Sequence, residues 1–130
     1  KAKKYLDESG VVIFFPAGGV AVAKKIKAPA IDAEWGNLLG SLVMKTKADV
    51  LPVYFDGKNG ILFHIFASKL KSSTLKYSSY LHETKRKIGK TIDIYCGSLI
   101  KNETLKVIDD RKQITLMLRD FTMSLPFQSQ

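Results

Sequence analysis

Phe15-Pro16-Ala17-Gly18-Gly19 ends an apolar, β-branched run, Val11-Val12-Ile13-Phe14. A proline and two glycines at that point let backbone approach a ligand closely. Backbone N–H groups between Pro16 and Gly19 can cradle a phosphate or carboxylate, as glycine-rich nests do. Lys24, Lys25 and Lys27 follow and can add positive charge to such a cradle. The competing reading is a plain turn whose glycines only reverse the chain. The pattern recurs at Val50-Leu51-Pro52-Val53-Tyr54-Phe55-Asp56-Gly57. Two hydrophobic strands that both exit at proline or glycine outline the floor of an α/β binding site.

The remaining reactive side chains point elsewhere. Cys96 is the only cysteine, which rules out an internal disulfide. It lies in Thr91-Ile92-Asp93-Ile94-Tyr95-Cys96, which alternates like a strand, so it reads as a small buried thiol. His64 falls in a strand pattern and reads as a packed histidine, and His82 as a surface helix residue. No Cys/His spacing suits a metal, and neither metal nor cofactor is expected. Gly57 and Gly60 lack the third glycine and the following helix of a dinucleotide fingerprint. No Gly-Lys-Ser/Thr follows a strand, and there is no Gly-x-Ser-x-Gly elbow.

These residues need a frame to hold them. Ala2 to Glu8 reads as the last turns of a helix stopped at Gly10. Residues 11–15 read as a strand covered on both faces. From Pro16 to Ala33 runs a long, lysine-rich loop, with Pro29 blocking an extended helix. A helix is expected from about Ala33 to Lys47, with Asp32 as its N-cap and Trp35, Leu38, Leu39, Leu42, Val43 and Thr46 on one face. Strands are expected over 49–55, 61–66 and 90–96, with a turn at Asp56–Gly60 whose Asn59-Gly60 is good hairpin chemistry. Ser72 or Ser73 caps a helix through Lys87 that closes at Gly89, its apolar face supplied by Leu75, Tyr80, Leu81 and Thr84. A last helix runs from Asp109 to about Ser124, striped by Ile114, Met117, Leu118, Phe121 and Leu125. Asp109 and Asp110 suit its positive end.

With 130 residues, 45% hydrophobic and 25% charged, the chain reads as one globular domain or a large part of one. It does not begin with methionine and opens inside a helix, so it reads as a fragment. No apolar run approaches the roughly 18 residues of a membrane span. The net charge of +9 suits nucleic acid, an anionic membrane surface, or an acidic carrier or substrate. Near anionic lipid each Lys or Arg contributes about 1 kcal/mol. Lys76-Tyr77, Tyr80, Lys85-Arg86-Lys87 and Lys90 mix cation with aromatic, as a nucleic-acid module does. The lysines are spread along the chain without a recognised nucleic-acid motif, so no nucleic-acid partner is expected.

In order and spacing, several segments resemble the glycerolipid and lysophospholipid acyltransferase superfamily, especially its hemolysin-like bacterial branch. Phe15-Pro16-Ala17-Gly18 is similar to that superfamily's third block. Asp32 and Trp35 match an Asp-x-x-Trp, and Val50-Leu51-Pro52-Val53 resembles the fourth block. Phe55-Asp56-Gly57-Lys58-Asn59 continues as Phe-x-Gly-x-Asn does there. Lys90-Thr91-Ile92, then Gly97-Ser98-Leu99-Ile100, then Leu118-Arg119 complete a likeness spanning Gly10 to Leu125.

The resemblance implies an α/β fold, a mixed sheet flanked by helices, of which residues 1–130 are the C-terminal part of a single acyltransferase-like domain. It implies transfer of an acyl group from acyl carrier protein or acyl-CoA to a lysophospholipid, glycerol-phosphate or amino-acid-type lipid acceptor. The setting it implies is cytoplasmic, peripheral on the inner face of a bacterial membrane. Phe15, Pro16, Ala17, Gly18, Gly19, Lys24 and Lys25 become the substrate-binding candidates. The family's general base is the histidine of a His-x-x-x-x-Asp, needed because a neutral alcohol is a poor nucleophile until its proton is taken. Here Lys69 follows His64 and Lys87 follows His82 at that spacing, so no catalytic residue is assigned and the chain by itself is expected to be inactive. Gly19, Ala21 and Val22 replace the branch's usual glutamate, small hydroxyl residue and arginine. That leaves open a different acceptor, binding through backbone and lysines, or a noncatalytic lipid-binding relative.

Overall fold

The computed structural model describes residues 1–23, 30–57, 59–60, 63 and 73–128, with backbone only over 73–77. In chain order the elements are α1 (Ala2–Asp7), α2 (Leu38–Lys45), β1 (Val53–Phe55), α3 (Ser73–Lys87), β2 (Ile94–Cys96), α4 (Asn102–Lys106) and α5 (Arg111–Gln128). They form two compact units. Lys1–Gly18, Glu34–Phe55 and Ile94–Gln130 make the first, Gly19–Ala33 and Asp56–Asp93 the second.

The first unit is helices on a two-stranded antiparallel sheet, a mixed α/β arrangement. Its core is Val43 of α2, Leu105 of α4, and Ile114 and Leu118 of α5, with Leu39, Val50, Ile100 and Ile108 packed around it. Each such side chain contributes roughly 1.5–3 kcal/mol by leaving water. α2 and α5 approach so closely at Gly40 that a Cβ there would run into the Arg111 carbonyl. Asp110 Oδ1 accepts the Lys112 N–H at 2.7 Å, satisfying a donor that the first turn of α5 leaves unpaired.

The sheet pairs Val53 with Cys96, Tyr54 with Tyr95 and Phe55 with Ile94. The Gly97 N–H continues the ladder to the Pro52 carbonyl at 2.9 Å, a bond that Pro52 cannot return because it has no N–H. Farther along, Val50 pairs with Ile100, exchanging bonds of 2.9 and 2.8 Å. Leu51 therefore faces both Ser98 and Leu99, which is a β-bulge, a site where proline is tolerated. The bulge shifts the alternation by one residue, so Ile100 enters the core while Leu99 stays 52% exposed.

In the second unit Val22 and Ile31 form an isolated antiparallel bridge. α3 buries Ser79 and Glu83, and Tyr80 meets the ring of the buried, helical Phe63 at 5.3 Å. Lys85, Arg86 and Lys87 occupy the last turn of α3, where the helix dipole favours cations. Gly89, at φ 76°, follows it as expected.

Several expectations need correction. Residues 11–15 form no strand, because no described segment pairs with them in a ladder, and the Phe15 carbonyl is used instead to close a turn with the Gly18 N–H. Nor are they covered on both faces, since Val11, Ile13 and Phe15 are mostly exposed. α2 starts at Leu38, not Ala33; its N-cap is Asn37, not Asp32, and Gly36 disfavours helix just before it. Leu38, expected on the inner face, is exposed. On α3 the expected apolar face gives way to Ser79 and Glu83, and Leu81 is 73% exposed. The strand expected over 90–96 shortens to 94–96, since β1 ends at Phe55; one step further the Asp56 N–H still donates to the Asp93 carbonyl at 2.9 Å. Cys96 is exposed, on the sheet face opposite the half-buried Tyr54 and Tyr95. α5 runs past Ser124 through Pro126 to Gln128. The strand expected over 61–66, with His64, lies outside the described residues except for Phe63, which is helical; Ser72 also lies outside them.

Candidate functional site

Phe15 to Gly18 make one β-turn, closed by the Gly18 N–H donating to the Phe15 carbonyl at 3.1 Å. Pro16 occupies the second position, where its ring presets φ. Ala17 has no positive φ, so the turn is of type I, and Gly18 follows it in the left-handed region at φ 63°. Only glycine adopts that conformation without strain. A Cβ on Gly18 or Gly19 would meet nothing within 4 Å, so the space around both is open.

The structure thus brings Phe15, Pro16, Ala17 and Gly18 together. Gly19 comes next in the chain as the first residue of the second unit. Lys24 and Lys25, with Lys27, lie outside the described residues. The cradle expected from Pro16 to Gly19 is smaller than its four positions suggest. Pro16 has no N–H, and Gly18 spends its own on the turn. Phe15 stands 70% exposed at the end of a segment in which Val11 and Ile13 are 82% and 81% exposed, while Val12 and Phe14 are half-buried. An extended, alternating segment therefore presents an apolar row that leads into the turn.

The other candidates are scattered. His82 is exposed on α3, as expected. Lys87, five residues on, donates to Asn59 Oδ1 at 2.9 Å. Pro52 is buried at the bulge, and Asp32 and Trp35 are half-buried. Among the described residues no three His, Cys, Asp or Glu side chains converge as metal ligands, and no helix is long and apolar enough to cross a membrane.

Two polar clusters escaped sequence reasoning. In the second unit Glu83 accepts the Gly60 N–H on Oε2 and Arg86 Nη1 on Oε1, both at 2.9 Å. Burial works to raise the Glu83 carboxyl, but the Gly60 and Arg86 hydrogen bonds, with the charges of Arg86 and His82, outweigh it and hold it below its usual range. This cluster ties Gly60 to α3. In the first unit Lys101 Nζ donates to Asp49 Oδ2 at 2.8 Å, and the Asn102 N–H to Asp49 Oδ1 at 2.9 Å. The Lys101 hydrogen bond and then that of Asn102 lower the Asp49 carboxyl, and the same contact raises Lys101. The Val50–Ile100 pairing sets Asp49 opposite Lys101. No local signal in the sequence marks them.

The chain matches no protein-family model, no curated protein and no solved structure.

Proposed function

We propose that the chain is part of an acyltransferase that moves a fatty acyl group from an acyl thioester, on acyl carrier protein or coenzyme A, to a lipid acceptor at an anionic membrane surface. The observation that carries the reading is the exposed row Val11, Ile13 and Phe15 running into the Phe15–Gly18 turn. Exposed apolar side chains beside a glycine turn suit an acceptor with an acyl chain and a polar head. The row would lie along the chain and the turn would face the head. The order of the Phe-Pro-Ala-Gly, Asp-x-x-Trp and Phe-x-Gly-x-Asn segments supports the same reading. Neither His64 nor His82 has an aspartate five residues on, so the base is not assigned to either.

The test is acyl transfer from labelled acyl carrier protein and acyl-CoA to lysophospholipid by the whole gene product, alone and with Phe15→Ser. Turnover that falls in the variant at unchanged melting temperature supports the reading. Lysolipid binding without turnover assigns a noncatalytic relative, the reading favoured by Gly19, Ala21 and Val22 at the branch's polar positions. Neither binding nor turnover overturns both.

A further inference from the structure

Asp49 and Lys101 face each other one step beyond the Val50–Ile100 pair and help line a cleft of about 560 Å³. Lys47, Asn102, Glu103 and Lys106 complete the lining, and all six residues belong to the first unit. Asp49 already meets the charge of Lys101. Lys47 and Lys106 have no acidic partner among the described residues.

Asn102 supplies an independent sign. It is 4% exposed, and its Nδ2 donates to the carbonyls of Val43 at 3.0 Å and Ala48 at 3.2 Å. Those two acceptors settle which end of the amide is nitrogen. Oδ1 is left without a donor among the described residues, yet it is not sealed from solvent. Solvent reaches this acceptor, so a ligand that displaces water from it must bring an O–H or N–H in return. Glu103 also lines the cleft; its carboxylate offsets one of the two unmatched ammonium groups and leaves the other to favour negative charge.

We propose that this cleft binds a protonated oxyanion, either hydrogen phosphate or a phosphate monoester bearing a hydroxyl. Lys47 and Lys106 lie against its charge, and Asn102 Oδ1 accepts its O–H. Sulfate near neutral pH carries the charge without the proton, so the site discriminates between the two ions. The proposal does not depend on acyl transfer.

The experiment is an amide-resolved NMR titration of the chain with sodium phosphate near neutral pH, at constant ionic strength. Saturable shifts at Ala48, Asn102 and Glu103 are expected, with a dissociation constant on the order of millimolar. Lys47→Gln with Lys106→Gln changes two exposed side chains, so the fold is retained while affinity falls about tenfold. Sulfate binds roughly fivefold more weakly than phosphate, the value of one hydrogen bond. Glycerol 3-phosphate separates the sources: tighter binding than phosphate names the monoester as occupant, weaker binding the free ion. Shifts that never saturate, equal binding of sulfate, or unaltered affinity in the double variant overturns the proposal.

Discussion

The backbone N–H of Gly40 donates to Thr115 Oγ1 at 3.1 Å, joining positions 75 residues apart. Gly40 lies in the first turn of α2, where helix N–H groups have no partner within the helix. Thr115 passes the bond on, donating its own proton to the Arg111 carbonyl at 2.9 Å. One hydroxyl thus caps α2 from the neighbouring helix, and the absence of a side chain at Gly40 lets it reach.

Thr115→Val keeps the shape and leaves a buried N–H unmatched, so it should cost about 1–3 kcal/mol. Thr115→Ser should cost less, and Gly40→Ala about as much as Thr115→Val or more, through collision with Arg111. Urea unfolding of the three variants checks this. Equal stability for Thr115→Val and wild type would remove the cap.

Glu83 carries a pH dependence with a definite sign. Its folded carboxyl is held below its ordinary value of 4.5, so the unfolded chain binds the proton more readily. The stabilisation is present in full above that value and is lost as pH falls through the folded one. Glu83→Gln should lower stability near neutrality by about 1–3 kcal/mol and flatten this acid limb. Thermal melts across the acid range would refute the assignment if the limb were unchanged in the variant.

Gly18 and Gly19 should behave differently although they are adjacent. Gly18→Ala forces a side chain into left-handed backbone and should cost about 1–2 kcal/mol. Gly19→Ala has no such strain and open space around it, so its effect should stay within roughly 0.5 kcal/mol. A matching loss in both would mean that Gly19 is packed.

Cys96 should react with a thiol reagent in the native protein, one equivalent per chain and without a denaturation step. Reaction that requires denaturant would bury the thiol after all.

Legibility in the sequence followed the range of the interactions. α1, the end of α3 at Gly89 and the cap of α5 at Asp110 rest on contacts a few residues apart, and their patterns are visible locally. Residues 11–15 have strand composition, but a strand also needs a neighbour, and composition does not supply one. Asn102 was invisible for the same reason, since its partners are Val43, Ala48 and Asp49. At Glu83 a charged residue took an inward place because a distant N–H and a nearby guanidinium waited for it. Of the turn at Phe15–Gly18, the bend was readable from Pro and Gly. Which N–H groups it leaves unspent was not.

The doubled step at Ser98 and Leu99 gives the chain a residue it can lose. Removing Leu99 would turn the bulge into a regular ladder, with Ser98 opposite Leu51 and Ile100 still opposite Val50. Adding a residue there would instead send Ile100 to the solvent face and carry Lys101 past Asp49, because one step reverses every side chain beyond it. Length variation at this corner is therefore one-sided, open to shortening and closed to growth.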